Sequence, residues 1–119
     1  VEQYKLFING KFQDAASGKT FESVDPGTEA PIATIAQAGK ADAEAAIAAA
    51  RRAFNSGVWS GLTPAARMAK IHDFADEVAK QGLRLAATEC MDSGQIIGLA
   101  KFSPLLGIGF LRNMALAAA

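Results

Sequence analysis

Apolar and polar residues alternate through the first forty positions and then recur at helical spacing, so the chain predicts strands first and helices after them. Lys5-Leu6-Phe7-Ile8 and Lys11-Phe12-Gln13 flank Asn9-Gly10, the dipeptide that best tolerates the positive φ angles of a two-residue type I′ turn. Ala16-Ser17-Gly18-Lys19 marks a second reversal, followed by alternation in Thr20-Phe21-Glu22-Ser23-Val24. Asp25-Pro26-Gly27 makes another turn, and Ile32-Ala33-Thr34-Ile35-Ala36 gives a third strand region. Such short strands without a partner are marginal in water, so this sheet needs a covering surface.

Two helices are expected next. The first runs from about Ala41 to Phe54, with Asp42 and Glu44 in its opening turn and Arg51-Arg52 in its last. Both placements complement the helix dipole. Ala43, Ile47, Ala50 and Phe54 form its apolar stripe, and Gly57 ends it before Trp59. Thr63-Pro64 then supplies an N-cap and a first-turn proline. The second helix is expected to bury Met68, Ile71, Phe74, Val78 and Leu85, and to keep Arg67, Lys70, Asp73, Glu77 and Lys80 wet. Gly82 weakens it by about 1 kcal/mol relative to alanine, and Ser93-Gly94 stops it. No internal repeat, low-complexity linker or charge block divides the chain, which reads as a single partial domain over 1–119, strands in 1–39 and helices in 40–119.

Composition narrows the function classes. Twelve basic and 12 acidic residues leave a net charge of zero, which gives no long-range attraction to nucleic acid or acidic membrane surfaces. Hydrophobic residues make up 50% of the chain, but many are alanines, and alanine buries little area, so a core built from this chain alone is thin. The uncharged run Phe102–Leu111 is about half the roughly 20 residues a bilayer span requires; a buried or partner-covered helix is expected there. A single cysteine suits a reducing compartment. Val1-Glu2-Gln3-Tyr4-Lys5 carries no apolar secretory core, and the expected location is cytoplasmic.

Candidate chemistry is sparse. Reactive thiolates are favoured by helix amino-termini and neighbouring cations, whereas Cys90 stands near a helix carboxyl end beside Glu89 and Asp92. It reads as a packing residue. His72 and Asp73 are adjacent on a helix and do not face one another, so they form no dyad. Gly107-Ile108-Gly109-Phe110-Leu111-Arg112 begins like a dinucleotide fingerprint, but arginine replaces the third glycine and Pro104-Leu105-Leu106 is a poor preceding strand. Asp92 has the strongest reading outside the core. A carboxylate at a helix carboxyl end is locally unfavourable, and a bound hard cation would reverse that penalty. The competing role is a capping or salt-bridging aspartate.

Taken in order, several segments resemble the amino-terminal part of NAD(P)-dependent aldehyde dehydrogenases. Leu6-Phe7-Ile8-Asn9-Gly10 with Ser17-Gly18-Lys19-Thr20-Phe21 is similar to the family's first hairpin. Val24-Asp25-Pro26 stands where the family has an Asn-Pro pair, and Ile32-Ala33-Thr34-Ile35 resembles the strand that follows. Ala48-Ala49-Ala50-Arg51-Arg52-Ala53-Phe54 through Trp59, then Leu62-Thr63-Pro64, is the closest stretch. Glu89-Cys90-Met91-Asp92-Ser93-Gly94-Gln95 resembles Glu-Thr-Leu-Asp-Thr-Gly-Lys, with Cys90 at an ordinary threonine position.

The resemblance implies an α/β family fragment: short hairpin strands followed by two or three α-helices, the part that packs on the cofactor-binding domain. It places the oxyanion asparagine, glutamate base and catalytic cysteine further along, so no catalytic and no cofactor-binding residue is expected here. By the same resemblance Asp92 and a backbone carbonyl of Ser23 or Val24 would hold a monovalent cation, completed by a later segment. Leu105 to Met114 is a candidate wall of the substrate pocket. NAD or NADP would serve the complete enzyme, which oxidises an aldehyde to a carboxylic acid. The expected partners are the remainder of the subunit or a complementary chain, in a homo-oligomer, with no nucleic acid and no membrane. The chain would then be a truncated or proteolysed subunit, or one piece of a divided enzyme. The rival reading is a non-catalytic helical interaction module that docks on a partner chain.

Overall fold

Asn9 and Gly10 take φ angles of 54° and 77°, so the reversal expected of this dipeptide forms and returns the chain on itself. In the computed structural model, which describes residues 1–117, the strands are β1 (Glu2–Tyr4), β2 (Leu6–Ile8), β3 (Lys11–Gln13), β4 (Thr20–Val24) and β5 (Pro31–Ala36). The turn joins β2 to β3 as an antiparallel hairpin, with Phe7 opposite Phe12. Their rings lie 4.9 Å apart between centroids, tilted by 53°, the geometry favoured by aromatic cross-strand pairs.

A separate three-stranded sheet has the order β1-β5-β4. β4 runs antiparallel to β5, whereas β1 runs parallel to it, with Gln3 opposite Thr34. This pairing departs from the three strand regions expected. Val1–Lys5 is polar and has no strand signature; its ladder partner lies some thirty residues on and is invisible to local pattern. The β4–β5 register slips between Ser23 and Val24, where Val24 comes to lie opposite Pro31. Proline has no N–H to give to a ladder, so the irregularity falls beside the one residue of β5 that cannot donate. Between these strands, the Asp25 carboxylate accepts from the Gly27 N–H at 2.7 Å, and the Asp25 carbonyl accepts from the Glu29 N–H at 2.7 Å.

The first helix, α1 (Lys40–Asn55), belongs with these strands in one compact unit, Val1–Ser60. It stops at Ser56, and Gly57 follows at φ 70°. Its expected apolar stripe lies open: Ile47 and Phe54 are 69% and 72% exposed. The Arg51 guanidinium lies 5.6 Å from the centre of the Phe54 ring.

The second unit begins at Gly61, and its regular elements among the described residues are all helices. It contains α2 (Pro64–Lys80), α3 (Gly82–Ser93), the single turn α4 (Ile97–Ala100) and α5 (Phe102–Ala117). Thr63 caps α2 as expected, its Oγ1 accepting from the Ala66 N–H at 3.2 Å. The single long helix expected to Ser93 is instead two. Gln81 leaves helical geometry at φ −97°, ψ 3°, and Gly82, a poor helix former, follows it. This break, α4 and the helical form of the last segment make the helical part more subdivided than the two or three helices expected.

The buried face of α2 also differs. It centres on Ala75, with Met68, Ile71, His72 and Val78 half-buried beside it, while Phe74 is 58% exposed. Phe74 sits one residue, about 100° of helical turn, away from Ala75. Leu85, on α3 rather than on this helix, is 43% exposed. Arg67, expected to be wet, is half-buried and donates to the Leu62 carbonyl at 2.6 Å. α5 packs along α2, and Arg112 Nη2 reaches Asp76 Oδ1 at 2.5 Å across that pair.

Among the described residues the buried hydrophobic side chains are Ile108 and seven alanines, at 15, 33, 36, 75, 86, 100 and 115. Among the described residues no large side chain is fully buried, so the core they form is thin, as composition implies. The helical Phe102–Leu111 segment leaves Phe102, Leu105, Leu106 and Phe110 mostly open. No helix among the described residues is long and apolar enough to cross a membrane.

Candidate functional site

The carboxyl end of α3 carries the sequence-derived candidates Asp92 and Cys90. Gly94 closes the helix in the left-handed conformation, φ 71°, and donates its N–H to the Cys90 carbonyl at 3.1 Å. Ser93 Oγ turns back to the Glu89 carbonyl at 2.6 Å and accepts from the Gln95 N–H at 3.3 Å. These bonds satisfy part of the helix terminus and hold Asp92 in its final turn. Asp92 is exposed and lines a shallow cavity of about 290 Å³ with Leu85, Thr88, Glu89, Ser103 and Pro104. Glu89, Asp92, Thr88 and Ser103 place oxygen atoms at its edge, the donor type a hard cation takes, but its wall is mostly apolar.

Of the other residues in the cation expectation, Ser23 and Val24 stand at the register slip of β4, in the first unit. Asp92 belongs to the second. Among the described residues no group of three or more His, Cys, Asp and Glu side chains converges as a metal centre.

Cys90 is a free, half-buried thiol in the last turn of α3. His72 is half-buried on α2, and its Nε2 has no hydrogen-bond partner among the described residues. Asp73 points elsewhere, with its carboxylate 3.9 Å from the Lys70 ammonium, so no His72–Asp73 dyad forms. Gly107 and Gly109 lie inside α5. An added Cβ at either would meet nothing within 4 Å, whereas fingerprint glycines are required by close approach. The candidate pocket wall, Leu105 to Met114, is a helix face with a shallow groove lined by Leu105, Leu106, Gly109, Phe110 and Asn113.

One carboxylate has a role that pattern reading missed. Asp42 is 4% exposed. Its oxygens accept from the Gly39 N–H at 2.9 Å and the Ala16 N–H at 3.0 Å. The bond from Gly39, then that from Ala16, hold its pKa below the ordinary carboxylate value, against the opposing effect of desolvation. Its place in the first turn of α1 is legible; its attachment to a loop 26 residues earlier is not.

Residues 12–119 match the model of the Aldehyde dehydrogenase family. The chain is 45% identical over 101 residues to aldehyde dehydrogenase family 2 member C4 of Arabidopsis thaliana, covering 85% of this chain and 20% of that protein. It is 43% identical over 93 residues to an NADP/NAD-dependent aldehyde dehydrogenase of Escherichia coli, covering 78% of this chain and 19% of that one. A solved NAD-dependent aldehyde dehydrogenase from Sinorhizobium meliloti superposes with a TM-score of 0.91 at 30% identity, over 97% of this chain and 23% of that structure. The chain therefore spans about a fifth of the length of the curated relatives it matches. With the hairpin, the capped helix pair and the Asp92-Ser93-Gly94 terminus all in the order that the resemblance implies, the chain belongs to the aldehyde dehydrogenase family.

Proposed function

We propose that this chain is the amino-terminal part of a subunit that oxidises an aldehyde to a carboxylic acid with NAD or NADP, and that it has no turnover by itself. The observation that carries this reading is the pairing of a family match with a span of about a fifth of the relatives' length. Acyl transfer through a thiol needs an activated nucleophile and a base placed to deacylate the intermediate. The chain's one thiol, Cys90, is flanked by carboxylates at a helix carboxyl end and has neither support. The role left to these residues is structural: strands and helices with open apolar faces for the rest of the subunit.

In the same proposal, Asp92 is a ligand for a monovalent cation in the complete subunit, supported by its place at a helix carboxyl end. A homo-oligomer in the cytoplasm is the setting proposed, consistent with the single cysteine. The experiment is co-expression of the chain with a polypeptide carrying the remaining family segments, assayed for aldehyde-dependent NAD(P) reduction. A second reading, a non-catalytic helical interaction module, draws on the open row Phe102, Leu106, Phe110 and Met114 on α5. Intact mass of the purified species and identification of its co-purifying chains separate the two.

A further inference from the structure

We draw no further inference here: the strongest candidate, the apolar groove beside the α2–α3 break lined by Leu83, Lys101, Pro104, Leu105 and Ile108, is an uncovered face of a chain that spans about a fifth of its relatives' length, and nothing in the structure shows what covers it.

Discussion

The carboxylate of Asp42 accepts the backbone N–H of Ala16 at 3.0 Å, fastening the start of α1 to the loop that follows the first hairpin. The same side chain takes the Gly39 N–H at 2.9 Å, so one buried group satisfies two donors that would otherwise lack partners. Asp42→Ala removes both acceptors and is expected to lower the thermal midpoint of the complete subunit more than Asp42→Asn, which keeps one amide oxygen. Equal midpoints for wild type and Asp42→Ala would show that the fastening has no energetic weight.

The same carboxylate gives a pH dependence of definite sign. Its native pKa lies below the ordinary value of 3.8, so in acid the unfolded chain binds the proton more readily. The stabilisation is whole above 3.8 and fades as pH falls below it through the lowered native value. Melting curves at descending pH should show the gap between wild type and Asp42→Asn closing in that window. A constant gap would contradict the assignment.

Thr63→Ala should cost about 1 kcal/mol, because the Ala66 N–H loses its cap, while Thr63→Ser keeps the hydroxyl and most of the stability. Denaturant midpoints of the two variants provide the check.

Glycines at the two helix positions should respond with opposite signs. Gly94 holds a left-handed φ of 71°, and alanine there should cost about 1–2 kcal/mol. Gly107 lies within α5 with space around it, and alanine there should favour the helix by about 1 kcal/mol. Far-ultraviolet circular dichroism of the 119-residue chain through a thermal ramp distinguishes them.

These tests also mark what was legible in the sequence. Asn9-Gly10, Thr63-Pro64 and Gly94 were readable because each acts through backbone geometry within a few residues. β1 was not, because its parallel pairing with β5 depends on a distant segment rather than on its own polar residues. The helix break at Gln81 escaped because a glycine in a helical pattern is compatible with either a weak point or an end. Phe74 differs for a related reason: its size favours burial, but the buried face of α2 centres on small Ala75. In the candidate site, the place of Asp92 at a helix end was visible, and so was the unsuitability of Cys90 as a nucleophile. The buried attachment of Asp42 was not, since its partner is a backbone N–H with no side-chain signature.

For the cation proposal, a complete subunit should melt higher in potassium than in choline salts, and Asp92→Ala should lose that difference. Equal potassium stabilisation in both proteins would leave Asp92 a plain helix-end residue. In the same background Cys90→Ser should retain aldehyde oxidation with unchanged kcat, since the thiol is half-buried at a helix carboxyl end between Glu89 and Asp92.

Aldehyde-dependent NAD(P)H formation, measured for the pure chain and for the chain joined by a polypeptide carrying the remaining family segments, tests the central claim most directly. The pure chain is expected to give no turnover and the pair to give turnover that requires both members. Activity of the pure chain that disappears in Cys90→Ala would contradict the account.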